Sequence, residues 1–181
     1  DEIHSDLTFT KFIPLASISN KIANQTITLN RAGKTFNIAG LNGAYGISKN
    51  SDLLEKFKKV SIKREIHSIN FFGYISTRAA YENGEIFVKE LKNYIMQNIL
   101  FTKNYFEKNQ LKIDFFIPEA TYLLWLDFSK MKLSHEEIKK LLLTKAKIAL
   151  NDGVSFSNKA NGYFRLNTAL SQKALEIALN Q

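Results

Sequence analysis

The sequence predicts an α/β chain, with α+β as the other arrangement of the same elements, on three observations. Short runs in which apolar and polar residues alternate recur along it, as in the segment Thr26 to Asn30. Between them lie longer stretches with apolar residues at helical spacing, the clearest from Glu85 to Lys108. The two kinds of segment follow one another along the chain, which is the pattern of mixed folds.

Each element has its own reason. Ile3 to Phe9 reads as a strand end running into a loop, and "ISNKIANQ" as a short helix or turn. "TITLN" reads as a strand. From Asn37 to Ile47, Gly40, Gly43 and Gly46 break an apolar run into a tight turn and a further strand. Ser51 is a candidate N-cap for a helix with apolar positions Leu53, Leu54, Phe57 and Val60. A helical region is expected from Ser68 to Tyr81, ending at a turn through Asn83 and Gly84. The helix from Glu85 to Lys108 carries Phe87, Leu91, Ile95 and Phe101 on one stripe. "KIDFFIP" and "TYLLWLDF" read as strands separated by Pro118 to Ala120, with Trp125 and Phe128 as core aromatics. Ser134 and Glu137 form an S-x-x-E capping box that opens a helix running to Leu150. "GYFRLNTA" is a short strand and "SQKALEIALNQ" a terminal helix.

Composition narrows the classes. The 181 residues suffice for one domain with a sizeable core or two small ones. The helical stretch between Ile62 and Ala80 reads as a hinge, giving two lobes. There is no Cys, which excludes a disulfide scaffold, a thiolate zinc site and cysteine catalysis and fits a cytoplasmic protein. His4, His67 and His135 show no metal spacing, so no metal site is expected. No apolar run approaches the ~18 residues that span a bilayer, and the opening is not that of a signal peptide. A formal charge of +8 raises nucleic acid or an anionic membrane as partners. Mixed charges argue against both: Lys56, Lys58, Lys59 and Lys63 share their stretch with Asp52, Glu55 and Glu65, and Lys139 and Lys140 follow Glu136 and Glu137.

Lys34 stands out, between a strand and an apolar, glycine-broken segment. "GKT" invites a phosphate-loop reading, but that motif needs a glycine five residues before Gly33, where the chain has Thr28. Phe36, Ile38 and Leu41 instead suggest a partly apolar setting. There an ammonium is disfavoured and the free amine becomes a nucleophile suited to Schiff-base formation. A solvent-exposed turn lysine is the other reading.

Several stretches together resemble one family. "DEIHSDL" at 1–7, "GKTFNIAGL" at 33–41, "INFFGYISTRAAYENGE" at 69–85, "PEATYLLWLDF" at 118–128, "KIALNDGVSF" at 147–156 and "GYFRLNTAL" at 162–170 are similar, in order, to pyridoxal-phosphate enzymes of the aspartate aminotransferase fold. Within that fold they are most similar to the MalY/PatB type of cystathionine β-lyases and C–S lyases. The resemblance implies that residues 1–73 are the trailing part of the large cofactor domain. Residues 74–181 would be the linking helix and the small C-terminal α/β domain.

The resemblance also implies roles. Lys34 would bond pyridoxal 5'-phosphate and remove the substrate's Cα proton. Asp1 matches the carboxylate that pairs with the pyridinium nitrogen, and His4 sits where relatives have a tyrosine near the phenolic oxygen. Arg165 matches the clamp on the substrate α-carboxylate and is expected to share a cleft with Lys34. Apart from the resemblance, proximity alone makes Asn167 an orienting neighbour of Arg165, and Arg31, which departs from the family pattern, is read as a contact for the cofactor phosphate. The implied activity is β-elimination from a sulfur amino acid, giving a thiol, pyruvate and ammonia. A class I/II aminotransferase is the alternative, and a non-catalytic basic binding module a third reading.

The chain departs from the family pattern in places. Gly33 stands where Ser is usual, Arg31 where a small or hydroxyl residue is usual, and Leu170, Ser171 and Gln172 where Cys-Pro-Arg often follows. The family has a substantial portion before the position of Asp1, which supplies most of the phosphate cradle and the ring-stacking aromatic. The chain is therefore expected to be a C-terminal fragment that is not an efficient enzyme alone. Its expected partners are that N-terminal portion, a small amino-acid substrate and, in the intact protein, a second copy in a homodimer.

Overall fold

The computed structural model describes residues 1–66 and 68–181, so His67 and any reading of it lie outside the described residues. The chain divides into two compact units, Asp1–Lys92 and Asn93–Gln181.

The first unit contains α1 (Asn20–Ala23), β1 (Thr28–Asn30), β2 (Tyr45–Ile47), α2 (Ser51–Lys63) and α3 (Phe71–Asn83). It also holds the start of α4 (Glu85–Lys108), inside which the division falls. Strands β1 and β2 pair antiparallel with Leu29 opposite Gly46. The expected strand end at 3–9 is instead a 3-10 turn over Ser5–Leu7 that buries Leu7 completely. Asn50, not Ser51, caps α2: its extended backbone lets the side chain accept from the Leu53 N–H at 3.0 Å. Leu53 and Leu54 are half-buried, whereas Phe57 and Val60 stand exposed.

Asn70 caps α3 and ties it to the preceding loop, accepting from Gly73 N–H at 2.7 Å and donating to the Leu41 carbonyl at 2.7 Å. That crossing is close enough to need glycine, since a Cβ on Gly43 would sit 2.7 Å from the Gly73 carbonyl oxygen. Gly84 breaks α3 from α4. A Cβ there would strike the Phe36 ring and the Ala80 carbonyl. Phe36 meets Tyr81 of α3 edge-on at 5.5 Å and Phe87 of α4 in a stack at 6.0 Å.

The second unit packs α4, α5 (His135–Thr144) and α6 (Gln172–Leu179) with a three-stranded antiparallel sheet. Its strands are β3 (Leu123–Asp127), β4 (Asn151–Asp152) and β5 (Tyr163–Asn167), in the order β3-β5-β4. Leu124, Leu126 and Phe164 turn one face into the core. The buried residues of α4 are Ile95, Asn98, Ile99, Thr102 and Phe106. Of the predicted stripe only Ile95 is fully buried. The true face contains two polar residues, buried because each is hydrogen-bonded. Asn98 donates to the Thr168 and Leu170 carbonyls at 2.9 Å each, and Thr102 donates to the Asn98 carbonyl at 2.9 Å.

The expected strand "KIDFFIP" reduces to a single bridge between Asp114 and Asp127, and Phe116 beyond it is 96% exposed. The capping box forms as expected. Helix α5, however, stops at Thr144, before Lys147 takes a left-handed φ of 52°. Phe128 is a core residue at 3% exposure, but Trp125 is 39% exposed because it alternates onto the open face of the sheet.

Candidate active site

The turn after β1 carries Lys34. The Phe36 N–H donates to the Ala32 carbonyl at 2.9 Å and Ile38 N–H to the Gly33 carbonyl at 3.2 Å, and Asn37 adopts a left-handed φ of 55°. This winding buries Ala32, Gly33 and Thr35 and presents Lys34 outward, exposed. The apolar enclosure expected from Phe36, Ile38 and Leu41 does not form, because Phe36 packs on Tyr81 and Phe87.

Three hydrogen bonds bind the segment that carries Asp1 and His4 to this turn and its strand. Glu2 N–H donates to the Leu29 carbonyl at 2.9 Å, and Asn30 Nδ2 donates to Ser5 Oγ at 3.2 Å. The buried Thr35 hydroxyl donates to Asp6 Oδ2 at 2.9 Å. Asp1 is exposed and accepts from the Ile3 N–H at 3.0 Å, while His4 is half-buried just before the Ser5 turn. Burial, a hydrogen bond to Tyr45 and the nearby Asp6 carboxylate push the Tyr81 hydroxyl pKa well up. Asp6 and Thr35 escaped the sequence reading, since they lie 29 residues apart with no spacing to join them.

Arg31 lies across Gly33. A Cβ on Gly33 would be 2.8 Å from Arg31 Nε and 3.1 Å from Nη2. The two departures from the family pattern are thus coupled, because a larger residue at 33 requires the guanidinium to move. Arg31 Nε is buried with no acceptor. An unsatisfied donor of this kind costs about 1–3 kcal/mol, which an anion reaching it would recover.

In the second unit, Arg165 stands on the open face of the sheet, with Trp125 of β3 and Asn151 of β4 as its register partners. Its Nη2 donates to Asn151 Oδ1 at 3.1 Å, its Cζ lies 4.6 Å over the Phe156 ring, and its Nε is buried without an acceptor. Asn167 does not orient it: that side chain accepts from the Ala169 N–H at 2.8 Å, closing the strand end. Asn151, 14 residues away, does. Only the strand register brings the pair together, and β4 is too short to read from sequence.

At the start of α5, His135 Nδ1 accepts from the Gly162 N–H at 3.0 Å and its Nε2 faces Asp152 Oδ1 at 2.8 Å. Lys139 donates to Asp152 Oδ2 at 2.9 Å. That bond is the main reason the Asp152 carboxyl sits below the usual carboxylate range. Among the described residues no group of His, Cys, Asp and Glu is placed to hold a metal ion, and no helix is long and apolar enough to cross a membrane. The Lys58–Glu55 pair, at 2.8 Å with both side chains more than half exposed, is a solvated helix face.

No protein-family model matches the chain. Cystathionine beta-lyase PatB of Bacillus subtilis (strain 168) is 33% identical over 183 aligned residues, covering 100% of this chain and 47% of the relative. The crystal structure of cystalysin from Treponema denticola, which contains a pyridoxal 5'-phosphate cofactor, superposes with a TM-score of 0.94. It is 30% identical and covers 99% of this chain and 46% of that one. Aspartate aminotransferase of Pyrococcus abyssi (strain GE5 / Orsay) is 24% identical across 100% of this chain and 46% of its own length. The chain spans about half the length of the curated relatives it matches.

Proposed function

We propose that this chain, which belongs to the MalY/PatB cystathionine β-lyase family of pyridoxal-phosphate enzymes, carries the lysine and the carboxylate receptor of an enzyme that eliminates a thiol from a sulfur amino acid. The observation that carries the reading is the match of the whole of this chain to 47% of a cystathionine β-lyase, with Lys34 an exposed amine on a turn tied to the Asp1 segment.

The residues present fit pyridoxal phosphate. In the same turn as the exposed Lys34, beside Gly33, lies an Arg31 N–H without an acceptor, which suits a phosphate oxygen. Lys34 would hold the cofactor, Arg31 its phosphate, Asp1 its ring nitrogen and His4 the neighbourhood of its phenolic oxygen. When bound, the cofactor supplies the electron sink for a carbanion at the substrate Cα. Lys34 Nζ would take the Cα proton and Arg165 would hold the α-carboxylate, roles suited to release of the thiol with pyruvate and ammonia as the other products.

Aminotransfer is the second reading, favoured by the match to an aspartate aminotransferase, since the same lysine can return its proton to a different carbon. In this reading residues 1–73 belong to the large cofactor domain and 74–181 to the linking helix and small domain. The rest of the cradle comes from a further portion of the enzyme, as the half-length match to relatives supports. A cytoplasmic homodimer completes the proposal, to which the lack of cysteine is suited.

The test is pyruvate release from cystathionine by the protein carrying this chain, with and without a 2-oxo acid acceptor. Borohydride trapping of the cofactor and peptide mapping accompany it. Pyruvate without an acceptor and the label on Lys34 are expected. Amino transfer alone selects the second reading, and a label elsewhere refutes the lysine assignment.

A further inference from the structure

We infer that Asn151 and Phe156 position the Arg165 guanidinium as a preformed carboxylate receptor. The inference rests on the proposed role of Arg165 and deepens it. An arginine on an open sheet face has several free torsions, and ordering them on binding costs affinity. Here two contacts remove that freedom beforehand. The Phe156 ring, 4.6 Å below Cζ, sets the plane of the guanidinium. The Asn151 carbonyl oxygen, 3.1 Å from Nη2, sets its rotation within that plane.

Asn151 is itself held. It pairs with Arg165 in the sheet. The next residue, Asp152, is anchored by His135 at 2.8 Å and Lys139 at 2.9 Å. Asn151 is also neutral. It accepts one N–H without spending the positive charge, whereas a carboxylate there would neutralise the guanidinium and compete with the ligand. Asn151 takes one of the five guanidinium N–H groups, and Nε has no acceptor, so donors remain for an incoming carboxylate. A carboxylate matches the planar fork of an arginine by accepting two of its N–H groups.

The site contains its own reporter. Trp125, the single tryptophan of the chain, is the other register partner of Arg165 and meets Phe156 edge-on at 5.7 Å. The experiment is a titration of the full chain with propionate, at ionic strength fixed by chloride, followed by Trp125 fluorescence. Wild type is compared with Arg165→Ala, Asn151→Ala and Asn151→Asp. The response should vanish in Arg165→Ala and weaken roughly tenfold in Asn151→Ala, as for a lost hydrogen bond to a charged group. It should weaken at least as much in Asn151→Asp, which keeps the shape and the acceptor facing Arg165 and adds a negative charge. A merely structural asparagine predicts wild-type affinity in that last variant. Loss in Arg165→Ala with wild-type affinity in either Asn151 variant overturns the positioning role and leaves the receptor standing. No wild-type response, or one that survives Arg165→Ala, overturns the receptor itself.

Discussion

Replacing Asn98 tests how the second unit holds the end of the strand that carries Arg165. Asn98 is fully buried on α4, and its Nδ2 donates at 2.9 Å to two carbonyls, Thr168 and Leu170, just past β5. In Asn98→Ala both bonds go. Each is worth about 1 kcal/mol net, and the Thr168 carbonyl is left where water does not reach; removing the unpartnered Asn98 Oδ1 offsets part of this, so the total loss is about 2 kcal/mol. With a urea slope of about 1–3 kcal/mol per molar, the unfolding midpoint of the full chain, read by Trp125 fluorescence, should fall by about 1–2 M. Asn98→Asp should be worse still at neutral pH, because a carboxylate presents only acceptors to two carbonyl oxygens. Burial against those oxygens raises its folded pKa above the unfolded value of about 3.9. Its excess penalty is therefore fully present above the folded pKa and fades as pH falls toward the unfolded one, where the protonated acid can donate once. A loss under about 0.5 kcal/mol for Asn98→Ala, the range of surface substitutions, would refute the reasoning, as would an Asp variant as stable as wild type at neutral pH.

Two further outcomes follow from the described contacts. Thr35→Val removes the donor to Asp6 and should cost about 1–3 kcal/mol in thermal unfolding; an unchanged melting curve would mean that the Asp1–Leu7 segment is held by other contacts. The lowered pKa of Asp152 stabilises the chain above the ordinary carboxylate value, and that stability is lost as pH falls through the lowered one, so Asp152→Asn should be less stable at neutral pH and show a flatter acid slope; parallel melting-temperature curves against pH would count against it.

The helices from Glu85 and from His135 were legible because length, periodicity and a capping box agree there. The buried face of α4 was not, since burial of Asn98 and Thr102 depends on hydrogen bonds to residues far along the chain or one turn away, which periodicity treats as polar surface. Short strands were read from apolar runs, as at Leu123–Asp127, and overread at "KIDFFIP", where pairing ends after Asp114. Within the candidate site, Lys34 and Arg165 were singled out by motif. Their supports, Asp6 with Thr35 and Asn151 with Phe156, come together only through tertiary register. The exposure of Lys34 was missed for the same reason: Phe36, two residues on, is drawn away to α3 and α4.

The break at Gly84 has a mechanical meaning. Phe36 lodges against it, touching Tyr81 on one side and Phe87 on the other, in a space that even a methyl group on Gly84 would invade. A change in the angle between α3 and the start of α4 therefore displaces this ring. The ring belongs to the residue two positions from Lys34, in a turn that also buries Ala32 and bonds the Thr35 hydroxyl to Asp6. A bend at this one glycine therefore acts on the turn that carries the amine.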